Sequence, residues 1–518
     1  MDNILNSNEM RVLSQTVEEA ARSTKEGVKH FVEPAEGTLN RATSKRHHIV
    51  FGRRGSGKSS LLLKAAADLT VDRRPIAYVN LEAFKGHSYP DVLLSVLINT
   101  FQGFEEWLSS AAIHPARRKS FWLPLFGTTP ARPSFCKKDS ARLAEDLRTE
   151  ITTLEEQLHA PDDSKQRIVR SEARAGGRST KASVQAGVQS ASLSAGVDAI
   201  QQTSHSEQSE EEFRKNKIDF LHRHVLDYQK VFQTMAKLSS GDSFLFLDDL
   251  YHIKRSDQAR VIDYFHRIAK DNHLWLKIGT IRHRSDWYIP GDPPVGLKLA
   301  DDADAIDLDI TLEKYSLAKQ FLLKILRNFS EQHGLSIDDF LTTGAKDRLV
   351  LASGGVARDF LSIFRRSIAF SRERGGGPRG EQISAEDVNM AAGEYDSSKR
   401  EEFKRDTSGD DKPLDDEFQK VRDFCLEKCN SNCFLLAQDA RGPRVHLIHE
   451  LVDLKLLHLV RSRVTVSGRP GKVYEAYMLD LSQYAGARKR RGLKTIEFWK
   501  PHATESLRKI SLIYDASH

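Results

Sequence analysis

The chain has few cysteines, no long apolar run and no apolar leader. Four cysteines among 518 residues are typical of a reducing compartment. No run of about 18 apolar residues occurs, which argues against a membrane helix. The first residues, MDNILNSNEM, lack the apolar core of a signal peptide. These absences predict a cytoplasmic protein and make a membrane partner unexpected.

An excess of one charge is also missing. The 78 Lys and Arg residues and 72 Asp and Glu residues give a formal net charge of +6, so charge alone neither requires nor excludes a nucleic-acid partner. Hydrophobic residues make up 39% of the chain, enough for real cores, and the length predicts about three domains.

Three of the four cysteines, Cys425, Cys429 and Cys433, recur every four residues. They lack the paired C-x2-C spacing of a zinc site. A buried apolar stripe is therefore the preferred interpretation.

The strongest motif is a phosphate-binding loop. Residues 52–59, GRRGSGKS, fit G-x-x-x-x-G-K-[ST] and lie between a predicted strand, 48–51, and a predicted helix, 60–69. Glycines let backbone N–H groups face an anion, and the helix N-terminus adds partial positive charge. Lys58 is expected to reach the β- and γ-phosphates, and Ser59 to bind Mg²⁺. The predicted residues for binding ATP with Mg²⁺ are Gly52, Gly55, Ser56, Gly57, Lys58, Ser59 and Ser60, together with Thr280 on a later strand.

A paired-aspartate motif matches this loop. The apolar run 244–247 predicts a buried strand that ends in Asp248 and Asp249. Asp248 is expected to hold Mg²⁺, and Asp249 to orient and deprotonate the attacking water. An Asp reaches less far than the Glu that many ATPases use, so hydrolysis is expected to be slow. The alternative is a strand that ends in an Asp-rich turn.

Strands and helices alternate around these motifs. A strand at 76–81 and a helix at 90–101 follow the loop, and further strands are predicted at 274–280 and 305–310. This alternation predicts an α/β fold with a parallel sheet covered on both faces. Asp307 and Asp309 alternate on the last strand, with Asp304 just before it, which favours a solvated face over a metal site.

Two arginines are candidates for sensing the γ-phosphate. Arg282 follows the strand 274–280, where Thr280 and Arg282 could touch the phosphate by polar or bidentate contacts. Residues 312–371 predict helices, and Arg358 follows the Gly354-Gly355 pair, where a lid helix could close onto the nucleotide. The alternative for each is an arginine on the surface.

The C-terminal part predicts a small DNA-contacting module. Residues 400–414 are polar and predict a linker, after which helices, a strand–turn–strand wing and a turn at 467–471 follow. Basic residues on and near the wing could neutralise phosphates; they are Arg461, Arg463, Arg469 and Lys472, with 488–491 in the tail. The alternative is a protein-contact module with solvated basic residues.

Residues 102–243 are too long for a connection and predict an inserted arm. Apolar residues at steps of four and three over 143–158 and 213–235 predict two antiparallel helices. The tip, 182–197, has alternating small residues. A flexible linker, a hairpin that pairs with neighbours and a DNA- or membrane-engaging tip all remain open.

Residues 48–395 resemble an AAA+ ATPase of the initiator, origin-recognition type. The matching segments are HHIVFGRRGSGKSS, FLFLDD, KIGTIRHR, SGGVARDF and ISAEDV, and a winged helix follows the core in that family. The resemblance implies that Lys58 and Ser59 are Walker A residues, that Asp248 is the Walker B residue, and that Thr280 or Arg282 and then Arg358 are the two sensors. Asp249, Lys58, Arg282 and Arg358 form the predicted catalytic set.

Three departures from that family are visible. The acidic motif is Asp-Asp, the first sensor is Thr-x-Arg, and the arm is extra. The first two resemble the STAND class of signalling NTPases. Two functions follow: a nucleotide-dependent oligomeric ATPase that engages DNA, in an anti-phage defence role, or a STAND-like switch that senses a foreign component and activates an effector protein.

The domain boundaries expected from these features are a leader at 1–46, an ATPase core at 47–311 with the arm at 102–243, a lid at 312–399, a linker at 400–414, a winged helix at 415–486 and a basic tail at 487–518.

Overall fold

The computed structural model describes residues 4–20, 30–113, 136–176, 194–239, 241–375, 381–406, 412–485, 492–500 and 504–516. No helix within these ranges is long and apolar enough to cross a membrane.

A five-stranded parallel sheet forms the centre of the core. Its strands are β1 (His47–Phe51), β2 (Ile76–Asn80), β3 (Ser243–Asp248), β4 (Leu274–Thr280) and β7 (Ala303–Asp307), in the order β2-β3-β4-β1-β7. Every residue of β1 and β3 is buried, as the near-continuous apolar runs of a sheet covered on both faces require. A short hairpin, β5 (Tyr288–Ile289) and β6 (Val295–Gly296), lies outside this sheet.

This architecture confirms the predicted α/β P-loop fold of the AAA+ kind. The helices of the core are α2 (Thr38–Thr43), α3 (Lys58–Val71), α4 (Asp91–Ile113) and α7 (Arg255–Ala269). The last strand begins two residues earlier than predicted and ends at Asp307, because the chain turns at Asp309, whose carboxylate binds the backbone N–H of Arg53 at 2.9 Å.

Two long helices form the inserted arm, α5 (Lys137–Gly176) and α6 (Ser194–Ser239). Most of the predicted apolar positions that the structure describes are buried, among them Leu147, Leu154, Leu221, Tyr228 and Phe232, while Ile151, Leu158 and Ile218 are half-buried. Residues 194–197 are helical, so this end of the tip is not the extended strand that the hairpin alternative would require. Residues 177–193, with the rest of the tip, lie outside the described residues.

A helical lid follows the sheet. It contains α8 (Tyr315–Glu331), α9 (Ile337–Phe340), α10 (Thr343–Ser353), α11 (Ala357–Arg374) and α12 (Ala385–Asp406). The N-terminal helix α1 (Asn8–Ala20) buries Met10, Leu13 and Val17 against this layer. Residues 400–406, expected in the linker, are the end of α12.

The C-terminal unit contains α13 (Lys412–Asp423), β8 (Cys433–Ala437), α14 (Pro443–Asp453), β9 (Leu457–Thr465) and β10 (Val473–Leu479), with a short α15 (Thr504–Leu507) near the end. Its three strands form an antiparallel sheet in the order β8-β10-β9. Cys425 and Cys433 are fully buried, which confirms the apolar stripe at these two positions, while Cys429 is half-buried and its thiol donates to Ser511 O at 2.9 Å.

Candidate functional site

The phosphate-binding loop lies at the carboxyl edge of β1 and leads into α3. Gly55 and Gly57 have φ values of 88° and 100°, which side chains with a Cβ rarely adopt. A Cβ at Gly52 would lie 2.3 Å from Ser56 Oγ. The loop therefore needs glycine at these positions to keep its curvature.

Lys58 lies at the bottom of this loop. Its Nζ donates to Gly52 O at 2.9 Å and lies 5.7 Å from the centre of the Tyr251 ring. Burial lowers the pKa of the ammonium, and the charges of Asp249 and Asp248 oppose that shift. The buried ammonium suits an anionic ligand, whereas the two carboxylates beside it would repel one unless a cation lay between them.

The hydroxyl of Ser56 tests whether the loop fits a phosphate. Its Oγ is buried and has no hydrogen-bond partner, which is uncommon for a buried hydroxyl. Ser59 and Ser60 line the same cavity. A phosphate oxygen would satisfy the Ser56 hydroxyl.

Asp248 ends β3 beneath the loop. Its carboxylate accepts from Tyr78 OH at 2.6 Å and from Asp249 N at 2.9 Å. A Cβ at Gly279 on β4 would lie 2.5 Å from Asp248 Oδ1, so glycine leaves room for this carboxylate. Sequence reasoning did not identify Tyr78 as a partner of Asp248. Burial raises the pKa of its phenol, and the charge of Asp248 raises it further.

Asp249 faces the cavity from a left-handed backbone conformation, with φ 58°. Burial, followed by the charge of Asp248, raises the pKa of Asp249 to about 6. Two carboxylates side by side suit a divalent cation. The hydroxyl of Ser59 and the carboxylate of Asp248 are hard oxygen ligands of the kind Mg²⁺ prefers, so these residues fit Mg²⁺.

The three sensor candidates lie in different places. Arg358, at the start of α11, lines the cavity, and its backbone N–H donates to Gly55 O at 3.2 Å. Thr280 is fully buried, and its hydroxyl shares a hydrogen bond with Ser285 Oγ. Arg282 lies 4.0 Å from the centre of the Phe51 ring and pairs with Asp307 at 3.2 Å. In this arrangement the structure brings Arg358 to the cavity and leaves Thr280 and Arg282 outside its lining.

An apolar half completes the cavity, which has a volume of about 230 Å³. Its side chains come from the segment before α2 and from the lid; they are Phe31, Val32, Pro34, Phe321, Ile325, Phe329 and Leu361. His30 lies at 5.2 Å from Phe329, ring centre to ring centre. Sequence reasoning missed these residues, because they become neighbours only when the lid folds over the sheet.

Arg53 joins the loop to the lid and was also missed. Its Nε donates to Asp309 at 3.1 Å and its Nη2 donates to Gly354 O at 3.0 Å. A Cβ at Gly355 would lie 2.2 Å from Ile310 O. The interpretation of Asp309 as part of a simply solvated face is therefore wrong, since its carboxylate holds the loop.

A buried group of charges lies between the lid and the C-terminal unit, behind Arg358. We call it the ion cluster; its members are Asp359, Lys399, Lys455, His458 and Asp480. Lys455 Nζ donates to Asp359 Oδ1 at 3.1 Å, and Lys399 Nζ donates to Asp480 Oδ2 at 2.8 Å. His458 Nε2 also lies 2.8 Å from Asp480 Oδ2. All five side chains are at most 4% exposed.

The C-terminal unit also contacts the edge of the core. Glu450 of α14 pairs with Arg255 at 3.3 Å, and Asp453 accepts from the His283 backbone N–H at 2.9 Å. Burial raises the pKa of Asp453 to about 7. A Cβ at Gly354 would lie 2.0 Å from His458 Cε1, so the turn before α11 touches the C-terminal unit directly.

Comparison with known proteins gives distant structural similarities. No protein-family model and no curated protein matches the chain. The chain is similar to the Orc1 protein of Aeropyrum pernix, solved in complex with DNA, at 12% identity over 88% of this chain and 91% of that chain, with a TM-score of 0.36. It is also similar to a Walker-type ATPase of Pyrococcus abyssi, at 11% identity over 89% of this chain and 97% of that chain, with a TM-score of 0.41.

The AAA+ P-loop fold class is established by the chain's own strand order, loop and lid.

Proposed function

We propose that the chain is an ATP-binding and ATP-hydrolysing AAA+ ATPase. The observation that carries this proposal is the meeting of three features at one cavity: the glycine loop with the buried Lys58, Asp249 with Asp248 buried next to it, and Arg358 from the lid. No two of these are neighbours in sequence, and together they offer cationic donors for phosphates next to oxygen ligands for a cation.

Each polar group of the cavity has a role in this proposal. Lys58 and the loop N–H groups hold the β- and γ-phosphates, and Ser56 donates to a phosphate oxygen. Ser59 and Asp248 hold Mg²⁺, which supplies positive charge to the phosphates. Asp249 orients the attacking water, and Arg358 contacts the γ-phosphate when the lid closes. Arg282 and Thr280 stabilise the strand end from which a first sensor would act.

The apolar half of the cavity is suited to a purine base. Phe31, Phe321 and Phe329 provide flat surfaces beside the phosphate loop, and aromatic contacts of this type hold bases without requiring charge. Adenine is the proposed base, so ATP is the proposed nucleotide.

Lid closure would move the C-terminal unit in this account. Arg358 and Asp359 are consecutive on α11; the first lines the cavity and the second is buried in the ion cluster. A helix moves as a rigid body over such a short distance. A contact between Arg358 and the γ-phosphate would therefore shift the anchor point of the C-terminal unit.

DNA is the proposed partner of the C-terminal unit, as a winged helix. Arg461, Arg463, Arg469 and Lys472 are exposed on β9 and in the turn between β9 and β10. Exposed basic residues on a wing can neutralise phosphates, which makes binding depend on salt. The basic tail at 488–491 lies outside the described residues.

A second candidate is a STAND-like switch that activates an effector, with self-assembly through the arm. The ion cluster favours it, because it holds the C-terminal unit against the lid in a closed arrangement that a trigger would have to open. An anti-phage defence role belongs with either candidate.

Phosphate release from ATP tests the catalytic proposal. The purified chain should release phosphate only with Mg²⁺, and Asp248→Asn should abolish release while the exposed Asp301→Asn control keeps it. Release that survives in Asp248→Asn would remove Asp248 from the metal site.

DNA binding is tested separately. Arg463→Glu and Arg469→Glu should each weaken binding to duplex DNA and lower the slope of log K against log salt by about 1. Lys64→Glu, on the distant helix α3, is the control. Equal binding by all three variants would favour the switch.

A further inference from the structure

The Asp-Asp motif leaves one catalytic task without an obvious residue. Many P-loop ATPases place a Glu after the metal-binding Asp, and its longer side chain takes the proton of the attacking water. Asp249 is one methylene shorter, and its backbone is fixed in a left-handed turn. This inference rests on the proposed ATPase function and concerns which residue takes that proton.

The neighbouring strand brings a Glu to the same place. β2 and β3 are parallel, with Asn80 opposite Asp248, so the segments that leave them run side by side. Asn80 Oδ1 accepts from Glu82 N at 3.0 Å and thereby caps a 3₁₀ turn, Leu81–Phe84. The turn fixes the backbone of Glu82 next to the Leu250–His252 turn that follows Asp249.

Three side chains meet between the two turns. Glu82, Asp249 and His252 each offer an atom, and the three atoms lie within 4.8 Å of one another. His252 Nε2 lies 3.9 Å from Glu82 Oε1. All three residues line the nucleotide cavity together with Lys58 and Ser59, the residues proposed to contact the phosphates and Mg²⁺.

Glu82 and His252 differ in how far their side chains are exposed to solvent. The Glu82 side chain is 54% exposed, whereas that of His252 is only 7% exposed. A half-exposed carboxylate at the rim of the cavity can swing toward a bound water and then release a proton to solvent. The nearly buried imidazole limits the positions that this carboxylate can take.

We propose that Glu82 is the general base of ATP hydrolysis and that His252 is its positioning residue. Asp249 orients the water. The water oxygen attacks the γ-phosphorus as the bond from that phosphorus to the β,γ-bridging oxygen breaks. Glu82 takes the proton from the water. The products are ADP and phosphate, and the proton passes from Glu82 to solvent.

A second divalent cation held by the same three residues is the competing use of the cluster. One imidazole and two carboxylates suit Mn²⁺ or Zn²⁺ better than Mg²⁺. Ligands of a tetrahedral ion with bonds of about 2.0–2.2 Å lie roughly 3.5 Å apart, closer than the 3.9 Å between His252 Nε2 and Glu82 Oε1. The spacing and the exposure of Glu82 favour the base.

The test compares Glu82→Gln with the wild-type chain and with Glu36→Gln, an exposed control outside the cavity lining. Glu82→Gln should lower kcat by about 100-fold or more, the range expected for loss of a general base, with KM and the Kd for ATP changed less than about threefold. Nucleotide extracted from the variant after incubation with ATP should be ATP, whereas the wild type should hold ADP. Glu82→Asp should recover part of kcat.

Two results would overturn the assignment of Glu82. One is turnover by Glu82→Gln within about threefold of the wild type. The other is binding of Mn²⁺ alone by the wild type that Glu82→Gln abolishes, which would assign the cluster to a cation. Failure of the wild type itself to bind or hydrolyse ATP would instead remove the proposed function, and Glu82 with it.

Discussion

The nucleotide cavity and the ion cluster both contain buried carboxylates, but their surroundings shift the pKa values of those carboxylates in opposite directions. In the cavity, burial and the neighbouring Asp248 raise the pKa of Asp249 to about 6. In the ion cluster, burial alone would raise the pKa of Asp480, but Lys399 and His458 lower it well below its ordinary range. The difference lies in the charges that each carboxylate contacts.

The ion cluster has the features of a structural contact, and the cavity has those of a binding site. The ion cluster satisfies its charges within the chain, as a structural contact requires. The cavity leaves a hydroxyl without a partner and two carboxylates side by side, so that part of its electrostatic cost can be removed only by a ligand. Perturbed titrating groups in a concave site are typical of functional sites.

The largest expected effect is the loss of ATP binding when the cavity is altered. Lys58→Ala should weaken ATP binding by at least about 100-fold, because it removes the buried cation and leaves two carboxylates facing the phosphates. Fluorescence titration with a labelled ATP analogue measures the effect. Lys64→Ala, on the same helix and paired with Asp68, should bind as the wild type does. Equal loss in both variants would point to damage to α3 instead.

The next effect breaks the ion cluster. Asp359→Asn removes the buried carboxylate that faces Lys455 and Lys399, and removing one member of a buried pair costs about 3–5 kcal/mol. Urea unfolding should show that loss in the transition that includes the C-terminal unit. Asp338→Asn, in an exposed pair with Lys346, should change stability by less than about 1 kcal/mol. A loss below 1 kcal/mol in Asp359→Asn would show that the cluster does not hold the unit.

A pH series sharpens the contrast between the two carboxylates. Because the folded pKa of Asp249 is raised, its ionisation opposes folding: the cost is absent below the unfolded pKa of about 4 and complete above about 6. Without nucleotide, Asp249→Asn should therefore be more stable than the wild type by about 1–3 kcal/mol at pH 7 and equal to it near pH 4. Thermal unfolding at both pH values measures this, and a destabilised variant at pH 7 would contradict it.

For Asp480 the sign is reversed. Its folded pKa is lowered, so its ionisation stabilises the fold above an unfolded pKa of about 4, and that stability is lost as the pH falls through the folded value. Below about pH 4, therefore, Asp249→Asn should no longer be more stable than the wild type, while the ion cluster loses the stability that ionised Asp480 contributes.

The smallest expected effect separates the two sensor arginines. Arg358 lines the cavity, and Arg358→Ala should weaken ATP binding by about tenfold, as for one charge-assisted contact of about 1.4 kcal/mol. Arg282 stacks on Phe51 outside the cavity lining, and Arg282→Ala should change affinity by less than about threefold. A larger loss in Arg282→Ala would mean that this side chain moves to the phosphate on binding.

Local motifs could be predicted from sequence, and neighbours supplied by the sheet order could not. The loop and the paired aspartates are each contiguous, so pattern and flanking strand suffice to find them. Asp309 was misinterpreted because its partner, Arg53, lies in the loop that follows the neighbouring strand β1. Finding Glu82 requires knowing that β2 lies beside β3 in the sheet. Finding the aromatic half of the cavity requires knowing how the lid packs over the sheet. A short stretch of sequence gives neither.

Calorimetric titration of Mg²⁺–ATP into the purified full chain tests the central claim most directly. One site per chain is expected, with binding that disappears when Mg²⁺–ATP is titrated into Lys58→Ala. Absence of any binding by the wild-type chain would contradict the claim that the loop, the paired aspartates and the lid form one nucleotide site.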